Sequence, residues 1–171
     1  MLKRIGAVAL VMGLAGCGWY TNVPAQISVQ SVEPGTVGVV FNGNSPPAFT
    51  NPTVTATGEH GSIGATYTQA QLTYFDGAGK AITELDAKGV YLNLRVAPAS
   101  LTPYTSDTSK DRTFTQGTGK AMLPIVNQKV LEYATSNKPG TITAQVVLVG
   151  LDDAQFGSTL RVNVPIVFSG L

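Results

Sequence analysis

The chain has 171 residues and is close to neutral, with 11 basic residues against 10 acidic ones and 12% charged residues in all. That balance excludes a polybasic nucleic-acid binder, which needs clustered Lys and Arg to neutralise phosphates. A single cysteine excludes an intrachain disulfide, so a domain of this size must rest on its hydrophobic core.

Lys3 and Arg4 open the chain, and residues 5–15 follow as an apolar run broken only by Gly6 and Gly13. A basic start, about 7–15 apolar residues and small residues at a cleavage point describe a secretory signal peptide. The run falls short of the roughly 20 residues a spanning helix needs. Leu14-Ala15-Gly16-Cys17 then resembles a bacterial lipobox at all four positions. The resemblance implies cleavage between Gly16 and Cys17, with Cys17 becoming the lipidated first residue of the mature chain. The thiol is then an anchor, neither a metal ligand nor a nucleophile. One acyl chain binds a bilayer only marginally, so the two or three chains of a lipoprotein are what hold it. Trp19 and Tyr20 fall at headgroup depth, where amphipathic rings are favoured; packing against the base of the domain is the alternative. Lipoproteins kept in an inner membrane carry Asp after the lipidated Cys, whereas this chain has Gly18. The resemblance therefore points to the outer membrane of a host with two. Without Lys3 and Arg4, the 11 basic residues become nine against ten acidic, near −1.

Residues 17–25 read as a lipidated tether and 26–171 as one domain. Alternation with period two dominates that domain. Strands are expected at 27–32, 37–41, 53–57, 63–68, 69–75 and 89–96. The parity slip between Val29 and Val32 requires a bulge or a strand end. In 89–96, Val90, Leu92, Leu94 and Val96 point inward while Tyr91, Asn93 and Arg95 point outward. Residues 102–119 are polar and read as a long exposed loop, with room for a short strand at 112–115. Residues 125–136 are consistent with either a short helix or an irregular connection. The firmest element is a C-terminal hairpin, 141–149 and 158–168, joined by a turn containing Asp152, Asp153 and Gly157. Pro165 requires one side of its strand to be an edge or a bulge.

Seven to nine short strands at regular spacing predict an all-β, antiparallel Ig-like β-sandwich. The variant built on a Cys–Trp–Cys core is excluded by the single Cys17 and single Trp19. LTYFDGAGKAI (72–82) and GTITAQVVLVGLDDAQFGSTLRVNVPIVF (140–168) resemble bacterial lipoproteins with an Ig-like or fibronectin-like domain, through Gly150, Asp152, Gly157 and Phe168. The resemblance implies fold and export and carries no catalytic residues.

Candidate chemistry is sparse. His60, the only histidine, sits in a polar turn and lacks the companion ligands of a metal site. A hydrolase using His60 is the least favoured reading, since no Gly-x-Ser-x-Gly elbow accompanies it. Asp152 and Asp153, with Asp107 and Asp111, offer oxygens to Ca²⁺ but show no calcium-loop spacing. The outward Tyr91 and Arg95 form a candidate carbohydrate or peptide patch. No cofactor or metal is expected. The sequence reads as a non-catalytic structural or protein-interaction module anchored to a membrane, with an envelope protein as partner. A small-ligand module for sugar or Ca²⁺ is the alternative. The tether, about eight residues long, reaches at most ~30 Å at roughly 3.5 Å per residue.

Overall fold

The computed structural model describes residues 24–43, 45–101 and 114–171. Gly16, Cys17, Trp19, Tyr20, Asp107 and Asp111 lie outside the described residues. Eleven strands are described: β1 (Ile27–Glu33), β2 (Val37–Asn42), β3 (Ser45–Ala48), β4 (Thr53–Gly58), β5 (Ala65–Asp76), β6 (Ala87–Val96), β7 (Ser100–Leu101), β8 (Phe114–Thr115), β9 (Thr118–Met122), β10 (Thr141–Asp152) and β11 (Gly157–Ser169). A 3₁₀ turn covers Thr83–Leu85, and one α-helix, α1, covers Gln128–Asn137.

The strands form a sandwich. One sheet has the order β1-β4-β9 and the other β3-β2-β11-β10-β5-β6, while β7 and β8 make a small separate ladder. The first strands divide between the layers as in Ig-like domains: β1 pairs with β4 in one sheet, and β2 joins the edge of β11 in the other. The β2–β11 pair is parallel, the one departure from the expected antiparallel order. It follows from the chain switching sheets between β1 and β2 without reversing direction.

Alternation builds the core directly. Ile142, Ala144, Val146 and Leu148 of β10 and Leu160, Val162, Val164, Ile166 and Phe168 of β11 all face inward. Val54 and Ala56 of β4 and Leu92, Leu94 and Val96 of β6 join them. The segments expected as separate strands at 63–68 and 69–75 are one strand, β5. Its register shifts between Tyr67 and Gln69, so Tyr67 and Ala70 both point inward although three positions apart. The expected parity slip in β1 is present as a shift between Val29 and Ser31. β2 begins to pair at Ile166, so Pro165 costs no ladder bond on that side.

Two strands were not legible in the alternation. β3 reads Ser-Pro-Pro-Ala, and β9 falls partly in the segment expected as loop. β9 needs no large side chains, because it runs backbone to backbone along β6: a Cβ on Gly119 would overlap the Arg95 carbonyl, and one on Gly117 the Ala97 carbonyl. The same closeness recurs at Gly150, where a Cβ would overlap the Thr66 carbonyl.

Helix α1 starts at Asn127, whose side chain accepts from the Val130 N–H at 3.2 Å. It ends at Lys138 in the left-handed region, followed by Pro139. Val130 and Ala134 bury one face. Its approach to the sheet is fixed by Tyr74 of β5, whose hydroxyl donates to the Ile125 carbonyl at 2.7 Å in the buried interior. Burial, reinforced by the charge of Asp86, holds the Tyr74 phenol well above its ordinary pKa.

Tyr74→Phe leaves that carbonyl unsatisfied, and we expect a loss of about 1–3 kcal/mol in urea unfolding. The raised phenol sets the sign of the alkaline response. Stability is intact below the unfolded phenol value of about 10 and falls as pH rises toward the folded one. The variant should lose part of that alkaline slope. Gly150→Ala should cost about 1–3 kcal/mol through overpacking, read as a lower urea midpoint.

Candidate functional site

Strand register separates two ends. Ile27 lies opposite Gly58, and Asp152 opposite Ala65, so the entry of the chain shares one end with the β4–β5 turn and the β10–β11 turn. Ala99 N–H donates to the Ser62 carbonyl and Gly58 N–H to the Gly117 carbonyl at the same end. Ile142 lies opposite Asp76, and Thr53 opposite Met122. These place α1, the β5–β6 turn and the C-terminus at the far end.

The β10–β11 turn is organised by Asp152. Alternation puts it on the inner face, in line with Leu148 and Gly150, and it is 2% exposed. One carboxylate oxygen accepts from Ala154 N–H at 2.9 Å and Phe156 N–H at 2.8 Å. The other accepts from Ala25 N–H at 3.0 Å, across 127 residues of sequence. Desolvation pushes this carboxyl up, yet the N–H donors of Ala25, Phe156 and Ala154 outweigh it and hold the carboxyl below the ordinary value. The turn closes with Asp152 N–H on the Phe156 carbonyl and Gln155 N–H on the Asp152 carbonyl, with Gln155 at φ 68°.

The same turn occurs at the far end. Asp76 accepts from Ala78 N–H at 2.9 Å and Lys80 N–H at 2.8 Å, and Gly79 takes the left-handed position at φ 81°. The difference lies at Asp152, whose second oxygen holds the N-terminal segment. That segment is also fixed by Gln26 N–H donating to the Ser62 hydroxyl at 2.9 Å, and by Glu59 N–H donating to the Gln26 carbonyl at 2.8 Å.

Asp153 faces outward and is paired with Arg95 through two hydrogen bonds, Nη1 to Oδ1 at 2.6 Å and Nη2 to Oδ2 at 2.9 Å. Arg95 also donates to Thr66 Oγ1 at 3.2 Å. The guanidinium, helped by Gly64 N–H, holds the Asp153 carboxyl low against a smaller push from burial. Adjacent in sequence, Asp152 and Asp153 thus point to opposite faces and serve different partners. They do not converge as a pair of ligands. Tyr91 lies on the same outward side of β6 as Arg95 and is 78% exposed, so the structure leaves the ring open and ties the guanidinium to Asp153. His60 is exposed in the β4–β5 turn, where Ser62 N–H closes on the Glu59 carbonyl. The Ser62 hydroxyl is taken up by Gln26 N–H and the Ile63 carbonyl. Among the described residues, no group of three or more His, Cys, Asp or Glu gathers as a metal site.

The far end carries concave surface. A groove of about 360 Å³ runs between α1 and the β2–β3 edge, lined by Phe41, Pro47, Leu131 and Thr135 among others. A second, of about 370 Å³, lies on the other side of the helix beside Glu84, Leu85 and Tyr133. Val40, Phe49, Met122, Val167 and Leu171, five large apolar residues exposed among those described, also belong to this half. At the tethered end, Leu151 and Phe156 are exposed. The Ala25 clamp was missed by sequence reading. Its signal was the parity of β10, which carries the inward series from Ile142 onward to a carboxylate.

No family model matches the chain, and no curated protein is similar to it. Among solved structures, it is similar to a protein from Archaeoglobus fulgidus known from a crystal structure, at 11% identity and a TM-score of 0.32, over 84% of this chain and all of the other.

Two outcomes are expected. Asp152 and Asp153 are both held low in the folded state, so their contribution is present above the unfolded value of about 3.9 and lost as pH falls through the folded values. Urea midpoints should be level near neutrality and drop below about pH 4. Asp152→Asn should remove part of that drop and speed hydrogen exchange at the Ala25 amide roughly tenfold. Gln155→Gly relieves a left-handed non-glycine residue and should raise stability by about 0.5–1 kcal/mol.

Proposed function

We propose that this protein is a lipid-anchored lipoprotein of a bacterial envelope, in the outer membrane where the host has two, and that its sandwich is a non-catalytic module that binds an envelope protein. The observation that carries the reading is the clamp on Ala25. Cys17 of the lipobox-like Leu14-Ala15-Gly16-Cys17 lies eight residues before a backbone N–H that is held by the Asp152 carboxylate. Eight residues reach at most about 28 Å. A lipid on Cys17 therefore fixes which end of the sandwich is near the membrane as well as how near.

Several observations support a binding role for the far end. It holds α1, both grooves and five exposed large apolar residues, and exposed apolar surface gathered in one region marks interaction sites. Edge pairing, a second way to bind a strand, has limited room. β3 carries Pro46 and Pro47, which cannot donate to a ladder. The lower part of β6 is approached by β9 at Gly117 and Gly119. The remaining edge is the stretch of β6 around Tyr91. The polar groups weighed as chemistry at the other end, Asp152, Asp153, Arg95 and Ser62, hold the fold together through the bonds given above.

Mass analysis of the native protein beside Cys17→Ala tests the anchor. We expect a diacylglyceryl mass and an acylated amine on Cys17, partition of the wild type into detergent, and release of the variant into the aqueous phase. An unmodified, water-soluble wild type sinks the reading. For the module, Leu131→Arg should abolish a discrete crosslink formed from a photoreactive residue at Thr135 in native membranes, with the urea midpoint preserved. A crosslink unaffected by that change would move the binding site elsewhere.

A further inference from the structure

The end of the sandwich that holds the tether has its own surface. The β10–β11 turn projects there, with Phe156 40% exposed and Leu151 48% exposed. Charge at this end is largely cancelled or withdrawn: Asp153 is matched by Arg95, and Asp152 is buried by its backbone donors. Among the described residues here, Glu59 is the exposed carboxylate, and it accepts from the Ser28 hydroxyl. The chain leaves this end at Ala25 with eight residues to Cys17.

We infer that this end is a seating surface for the lipid bilayer, with Phe156 and Leu151 entering the headgroup boundary and the β10–β11 turn facing the membrane. The inference rests on the anchor proposed above and goes further, from attachment by a tether to contact by the folded domain. Two lengths decide the orientation. The tether spans at most about 28 Å. The β10 strand, 12 residues from Thr141 to Asp152, separates the two ends by roughly 36 Å at about 3.3 Å per residue. The domain cannot invert: with its far end on the membrane, Ala25 would stand farther from the surface than the tether reaches. The larger apolar surface of the far end is thereby kept off the bilayer.

Proximity makes a small contact sufficient. A short linker holds the surface at an effective concentration on the order of millimolar, so two half-exposed apolar side chains favour the seated state without strong intrinsic affinity. Near-cancelled charge matters for the same reason, since an unmatched acidic face would be repelled by anionic lipid. Both side chains are partly in water already, so replacing them empties no core.

The test uses the full-length lipidated protein in vesicles of three parts phosphatidylethanolamine to one part phosphatidylglycerol. Because Cys17 is the sole cysteine and is consumed by lipid, a nitroxide label can be placed singly on Ala154→Cys, Asn93→Cys or Ser136→Cys. Collision with a water-soluble nickel chelate is read at each site by power saturation. We expect the label at 154 to be about threefold or more less accessible than those at 93 and 136. Adding Phe156→Ser and Leu151→Ser should restore its access. If Cys17 carries lipid and the label at 154 is as open to the chelate as that at 136, seating is overturned while the anchor stands. Shielding at 93 instead would mean a domain lying on its side, which also overturns it. If Cys17 carries no lipid, the anchor reading and this inference fall together.

Discussion

The carboxylate of Asp152 sits where three parts of the chain meet: the end of β10, the turn that leads into β11, and the segment that enters the domain at Ala25. Its burial is unfavourable in isolation, because a charged group loses its water on entering a sheet interior. Three backbone N–H donors replace that water. The consequence is directional. An unpinned N-terminal segment would leave β1 to choose its own register on β4, and its bulge at Val29–Ser31 shows how little alternation alone fixes there. With Ala25 held by Asp152 and Gln26 by Ser62, β1 starts from a set point.

Elsewhere the sandwich is set by how closely backbones approach. Lacking a disulfide across its layers, this chain brings β9 against β6 at two glycines and β10 against β5 at a third. Side chains there would push the layers apart. Tyr67 and Tyr74 complete the arrangement from the opposite principle, large rings whose hydroxyls reach polar partners at the rim of the core, Ser158 at 2.7 Å and the Ile125 carbonyl at 2.7 Å. A buried Tyr is tolerated because both ends of it are satisfied. The ring fills volume, and the hydroxyl fixes a loop. Through Ile125 this reaches α1, so the placement of both far-end grooves traces back to one residue of β5.

What could be read in the sequence follows from these two kinds of constraint. β10, β11 and β6 are long and alternate cleanly, because one face meets the core and the other meets water. Their inward residues were identifiable one by one, from Leu92 to Phe168. The helix was visible as a recurrence at three and four but not separable from a loop, since only Val130 and Ala134 of it are fully buried. β3 and β9 were invisible for the reason that makes them possible: prolines at an edge and glycines at a close approach carry no hydrophobic period. At the candidate site, the turn chemistry of Asp152 and the outward direction of Tyr91 and Arg95 were legible. The partner of Arg95 and the clamp on Ala25 were not, because both join residues far apart in sequence, and pairing of that kind is a property of the register.

The two copies of one turn show how a local motif acquires a global role. Asp76-Gly77-Ala78-Gly79-Lys80 and Asp152-Asp153-Ala154-Gln155-Phe156 bind their own backbones in the same way, an aspartate oxygen accepting from the second and fourth residues onward. Either would form in a short peptide-like context, and neither distinguishes one end of the molecule from the other. The distinction arises because β10 carries its aspartate on the inner face, whereas the Asp76 turn stays at the surface. Only an inward carboxylate has an oxygen left to face the entering chain. The inward position also explains why the left-handed residue is tolerated as Gln155 at one end and supplied by glycine at the other: the Asp152 turn is held from outside itself, by Ala25, and so carries a residue that its own conformation disfavours. In the proposed orientation, that externally held turn is the one that meets the membrane, and the self-sufficient one stands at the far end beside the grooves.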